Sequence, residues 1–280
     1  MRLPELPVES STLDGNLRVR LVPLHHLQSA TVSFFIRVGS RYETQRSNGL
    51  SHFLEHMVYR GTEVHPAAHE LSLAIERLGG TLDAATHVDF TTYDLTLPTE
   101  TIAQGIALLA EVMRQPLLTE LHTEKQIIRE EILEELNEEG EQIDISNVSR
   151  LLLYPNDPLG FSIAGPLANL DRFETRDLRE HHSRHYTARN SVICVAGDFD
   201  PHEIGDAIGM HFDGMPIGES IAPSPARRRV SSTRFSYLHE HGNQTDVRVS
   251  FHTPGALSPE APILLLLARV LDDGLSTRVH

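Results

Sequence analysis

Three residues in this chain have types and spacing that could do chemistry together: His52, Glu55 and His56, in the run H-F-L-E-H. Four positions separate the histidines, so on a helix both imidazoles leave the same face. Two ring nitrogens placed that way can reach one Zn2+ ion at about 2.0–2.1 Å. Glu55 lies beside them, placed to act on a water at the metal rather than on the metal itself. The order is the reverse of the zinc-holding H-E-x-x-H pattern. A third protein ligand must come from elsewhere, and a fourth position must stay open for the water.

Such a pair needs a helix that cannot shift. Leu50, Phe53, Leu54, Met57 and Val58 wrap the segment nearly all round, which predicts a buried helix from about residue 48. Histidines and a glutamate on a buried helix must be paired or metal-bound, because unpaired buried polar groups are costly. Around that helix, residues 17–23 and 30–38 read as strands. Residues 67–78 read as a helix closed by Gly79-Gly80, and 81–86 with 89–97 as a strand pair. Further helices are expected over 101–113, 121–138, 176–186 and 202–211, with a short one at 148–153 inside an irregular stretch from 139 to 170. A short buried strand is expected at 191–196.

The acidic helix over 121–138 offers the missing carboxylate. Glu124 and Glu131 are seven apart, two turns up one face, with Ile127 and Ile128 between them on a partly buried side. A buried carboxylate pair needs a cation, and Glu131 as ligand with Glu124 behind it would meet that need. Glu130 is a rival next door. Glu134, Glu135, Glu138 and Glu139 read as a solvated acidic face. A second metal-capable spacing, His181, His182 and His185, has no carboxylate attached and reads as an exposed histidine-rich helix.

The chain has 280 residues and a formal net charge of −15, which argues against nucleic acid and mildly favours basic or neutral peptides as partners. Its one cysteine, Cys194, sits in an apolar run and reads as a core thiol. No stretch approaches 18 apolar residues, so no membrane span is expected. The start shows no apolar leader core, which points to a cytoplasmic protein. Residues 1–213 read as the metal-bearing domain and 214–229, rich in Pro and Gly, as a linker. Residues 230–280 read as the opening of a second, metal-free copy. There, 246–251 would be its strand and 261–271 its helix, and the abrupt end suggests a fragment.

Together these stretches resemble the pitrilysin-type inverzincins, the family of mitochondrial processing peptidase and insulin-degrading enzyme, and most of all their bacterial, processing-peptidase-like members. The residues that carry the likeness are G-L-S-H-F-L-E-H-M at 49–57 with Gly61-Thr62, L-G-G-T-L-D-A-A-T at 78–86 with Thr92-Tyr93, E-K-Q-I-I-R-E-E-I at 124–132, and V-A-G-D at 195–198. The resemblance implies an α+β fold, with a mixed, largely antiparallel sheet packed by helices. It implies one Zn2+ on His52, His56 and Glu131, Glu55 as general base, and Glu124 as the supporting carboxylate. Substrate would add as a strand along Asp83, Ala84 and Ala85, where the family signature reads Asn-Ala, and Tyr59 would stand near the cleft. The implied activity is zinc-dependent endopeptidase. The alternative is an inert or partner-dependent subunit of the same fold. The active particle is expected to be a homodimer, a heterodimer, or one completed by a missing C-terminal half.

Overall fold

The computed structural model describes residues 6–226, 234–238 and 245–272. The chain divides into two compact units, Met1–Glu240 and His241–His280.

The first unit is built on a six-stranded sheet: β1 (Glu9–Thr12), β2 (Arg18–Pro23), β3 (Ser29–Ile36), β4 (Thr81–Thr86), β5 (Thr91–Pro98) and β6 (Ser191–Gly197). Their order is β1-β2-β6-β3-β5-β4. Every neighbouring pair is antiparallel except β2 with β6, so the fold is α+β with a mixed, largely antiparallel sheet. Strand alternation assigns the two faces. Val32, Phe34, Ile36, Tyr93, Leu95, Leu97, Ile193 and Val195 point one way and are buried.

Helices cover that face. The motif helix is α1 (Leu50–Val58). It is followed by α2 (Ala68–Arg77), α3 (Ile102–Arg114), α4 (Leu121–Glu134), α5 (Ile145–Leu153), α6 (Leu167–Arg172), α7 (Thr175–His185) and α8 (Pro201–Phe212). α1 buries Leu50, Phe53, Leu54, Met57 and Val58, as its pattern predicts, and packs against α4, α7 and β4. Among the described residues β4 pairs only with β5, which leaves its outer edge unpaired there.

Several expectations are corrected. β1 was not foreseen, because E-S-S-T carries no apolar alternation and all four residues are exposed. α6 begins inside the stretch read as irregular and runs two residues beyond it. α4 stops at Glu134 rather than 138. There the Asn137 side chain accepts from the Glu139 and Glu141 N–H groups, and Gly140 turns the chain at φ 78°. Cys194 is half-buried rather than in the core, because it falls on the face of β6 that the helices do not cover. Ile127 is 39% exposed, while Glu124, Ile128 and Ile132 form the buried stripe of α4. His181 and His185 are buried, not exposed. His181 meets Ser51, and His182 meets the Met113 carbonyl.

Residues 215–224 do not run free. The carbonyls of Pro216 and Ile217 accept from the Ala188 and Arg189 N–H groups, and Met215 is buried. The three arginines at 227–229 and the run 274–278 lie outside the described residues.

In the second unit, α9 (Ala261–Asp272) forms as expected. The strand expected over 246–251 does not. It has no strand to pair with among the described residues, and a lone extended segment cannot satisfy its backbone by a ladder. Among the described residues no helix is long and apolar enough to cross a membrane.

Candidate metal centre

α1 presents His52 and His56 on its less buried side, and α4 lies across it. His52 Nε2 and His56 Nε2 are 3.3 Å apart, and Glu131 Oε2 stands 3.7 and 3.6 Å from them. Among the described residues, these three are the one group of His, Cys, Asp and Glu whose ligand atoms converge closely enough to hold a metal ion. The spacing fits zinc. Tetrahedral ligands at about 2.0–2.1 Å from a metal lie about 3.3–3.4 Å from one another. The donor chemistry fits as well, with two imidazoles and one carboxylate leaving a fourth position open.

The supporting contacts also fit. His56 Nδ1 lies 3.2 Å from Glu124 Oε2, the carboxylate–histidine arrangement that leaves Nε2 to face a metal. Glu124 is fully buried, and Arg60 pairs with its other oxygen. Burial and the neighbouring His56 hold the His52 pKa down to about 3, so its ring is neutral and able to ligate. Burial acts against charge on His56 too, but its hydrogen bond to Glu124 and the charges of Glu131 and Glu55 outweigh it and raise its pKa.

Glu55 lies on the same side, with Thr86 Oγ1 donating to its Oε2 at 2.5 Å. Burial raises the Glu55 carboxyl above the usual carboxylate range, and Thr86 and His56 offset part of that rise. A cleft of about 330 Å³ opens here. His52, Glu55 and Glu131 line it together with Ala84, Ala85 and Thr86 of the edge strand and Ile163 and Ala164 of the loop before α6. A larger hollow of about 470 Å³ lies among α2, α3 and His211. His65, Glu111 and His211 line it, but among the described residues they do not converge as a set of three ligand groups, whereas His52, His56 and Glu131 at the smaller cleft do.

Of the residues singled out in the sequence, His52, Glu55, His56, Glu131, Ala84 and Ala85 meet at this cleft. Glu124 stands directly behind them. Glu130 is exposed and takes no part. Asp83 sits on the exposed edge strand without lining the cleft. Tyr59 is not brought to it either. Its ring packs 5.9 Å from Tyr93, and its enclosed hydroxyl has no hydrogen-bond partner among the described residues. The histidine-rich helix holds no metal set; its rings are used in packing and hydrogen bonds.

Three participants were missed in the sequence. Thr86 supports Glu55, Arg60 neutralises Glu124, and Glu135 lines the cleft while accepting from Gln142 and Asn147 instead of facing solvent. Arg60 had a legible signal. It lies four residues after His56, and a buried Glu124 calls for a cation.

The sheet, the inverted histidine pair and the carboxylate from the crossing helix define an α+β domain with a candidate two-histidine, one-carboxylate metal site. Residues 18–167 match the family described as Insulinase (Peptidase family M16), and residues 172–280 match the Peptidase M16 inactive domain. The chain therefore belongs to the insulinase family of peptidases, M16.

Among similar proteins, bovine (Bos taurus) cytochrome b-c1 complex subunit 1 is 28% identical over 262 residues, covering 92% of this chain and 53% of that protein. The mitochondrial-processing peptidase subunit beta of Lentinula edodes is 30% identical over 228 residues, covering 81% and 48%. An uncharacterized zinc protease of Mycobacterium leprae is 27% identical over 274 residues, covering 96% and 61%. The chain thus spans about half the length of the curated relatives it matches. The same fold is seen in a protease from Helicobacter pylori, with TM-score 0.71, 24% identity, and 80% of this chain and 54% of that one covered. Pitrilysin shares it too, with TM-score 0.70, 21% identity, and 81% and 25% covered.

Proposed function

We propose that this chain is a zinc-dependent endopeptidase unit that hydrolyses peptide bonds with Glu55 as general base. The observation that carries the reading is the convergence of His52, His56 and Glu131 on one point, with Glu55 in the same cleft. When bound, zinc would supply Lewis acidity, acidifying a water molecule and steadying negative charge on the carbonyl oxygen under attack.

The remaining steps fall to the chain's own residues. Glu55 takes the proton of the attacking water and later delivers it to the leaving amine. Its raised pKa suits a group that must carry a proton midway. Thr86 holds one of its oxygens in place. The outer edge of β4, unpaired among the described residues, supports strand addition as the mode of substrate binding, with backbone pairing beside Ala84 and Ala85. Asp83, exposed on that strand, favours a basic side chain opposite it. Since the chain spans about half of its relatives, the full active particle is read as two such halves, from a dimer or a longer chain.

A second reading is favoured by one observation: a relative similar over 92% of this chain is named as subunit 1 of the cytochrome b-c1 complex rather than as a peptidase. On that reading the chain is a partner-dependent or inert subunit.

Zinc content and cleavage of a quenched peptide, measured on the parent chain beside Glu55→Gln and Glu131→Gln, separate the two. The endopeptidase reading expects about one zinc per chain, lost in Glu131→Gln and kept in Glu55→Gln, with cleavage falling about 10²–10⁴-fold in the latter. Zinc without cleavage supports the subunit reading. No zinc after reloading sinks the metal site itself.

A further inference from the structure

The motif helix has no cap of its own. Its N-cap, Gly49, lies at φ 99° and offers no side chain. Glu43, six residues earlier, does the capping instead. The Gly49 N–H donates to Glu43 Oε2 at 2.9 Å, Asn48 Nδ2 donates to the same oxygen at 3.0 Å, and the Ser51 N–H donates to Oε1 at 2.7 Å. Glu43 is 4% exposed, and no step of the proposed chemistry uses it. Burial raises its carboxyl pKa, and donors from Ser51, Asn48 and Gly49 draw it part of the way back.

The two ligand histidines are held differently. His56 is steadied through Nδ1 by Glu124. His52 Nδ1 is enclosed and has no hydrogen-bond partner among the described residues. The aim of the His52 ring therefore depends on the backbone of the helix's first turn. Helix starts fray, because their first N–H groups lack intrahelical partners. Ser51, next to His52, is the point of attachment. Its N–H meets Glu43, and its Oγ lies 3.0 Å from His181 Nε2 on α7.

We propose that Glu43 is a positioning residue for the metal site: bonded to the Gly49 and Ser51 N–H groups, it fixes the first turn of α1 and so aims His52 Nε2 at the point shared with His56 and Glu131. The inference rests on the zinc reading above. If the turn opens, His52 swings away while His56, held by Glu124, stays.

The test is the zinc dissociation constant of the full chain, measured against a competing chelator, with the thermal midpoint of each variant. Glu43→Gln turns one acceptor into an NH2 donor that faces other donors. Its zinc binding is expected to weaken about tenfold, the lower end for supporting residues, and Glu43→Asp, which keeps two acceptors at shorter reach, to weaken only about threefold. Asn169→Ala is the control. It removes the bonds from Asn169 to the Gln45 and Asn48 carbonyls, which brace the same loop from α6. That variant should lower the midpoint while zinc affinity stays within about twofold of the parent, because no support of His52 is lost.

Unchanged zinc affinity in Glu43→Gln overturns the proposal, and so does an equal loss in Asn169→Ala at a matched midpoint. Should Glu43→Gln not fold, Glu43→Asp against Asn169→Ala decides on the same criterion. A parent chain that binds no zinc fails the zinc reading itself. A parent that binds zinc with Glu43→Gln unaltered fails this inference alone.

Discussion

Glu124 shows how a single side chain ties the site to the interior. It is fully buried between His56 and Arg60, which together supply the donors and positive charge that a buried carboxylate needs. Its effect on a metal would be indirect, through the orientation and basicity of His56. Glu124→Gln is therefore expected to leave the chain folded and to weaken zinc binding about 10–100-fold, measured by chelator competition. Zinc affinity equal to that of the parent would mean that His56 needs no such support.

At the scale of elements, the site depends on how α1 is reached. Gly49 and Gly165 lie back to back. A Cβ on Gly165, at φ 72°, would stand 2.3 Å from the Asn48 carbonyl oxygen. That closeness brings the loop containing Ile163 and Ala164 against the start of the motif helix, where it walls the cleft. Gly165→Ala combines left-handed strain with a backbone clash and should cost about 2 kcal/mol or more. A fall in thermal midpoint of about 4–8 °C would register it. A midpoint within a degree of the parent would show that the two loops can separate freely.

The whole molecule carries a pH dependence away from the metal site. His185, the last residue of α7, is buried, and burial, with Arg184 adding to it, lowers its pKa to about 4; a backbone hydrogen bond at Arg37 offsets part of this. A histidine held neutral in the fold contributes stability that is full above its unfolded pKa of about 6.5 and is lost as pH falls toward its folded value. For the metal-free chain, His185 alone should remove about 2 kcal/mol between pH 7 and pH 5, with burial of His181 adding in the same direction. Urea unfolding at the two pH values, beside His185→Gln, measures it. An equal pH slope in that variant would exclude His185 as the source.

What the sequence determined by itself was local and periodic. The i, i+4 histidines with Glu55 between them were legible as a candidate site because helix spacing is set by backbone geometry, and α1 came out buried because its apolar residues wrap it. The strands β2 to β6 were legible from alternation or from short apolar runs. Glu124 and Glu131 stood out because they share one face, but spacing alone left Glu131 level with Glu130. The fold separated them, leaving Glu130 exposed and bringing Glu131 Oε2 to both imidazoles. Burial of His181 and His185, the half-burial of Cys194, the exposure of Ile127, and the parts played by Arg60, Thr86 and Glu43 were decided only by the tertiary structure. Each depends on which face of an element another element covers, and on contacts between residues distant in sequence. No local period carries that information, because the same strand or helix pattern is compatible with either face being covered.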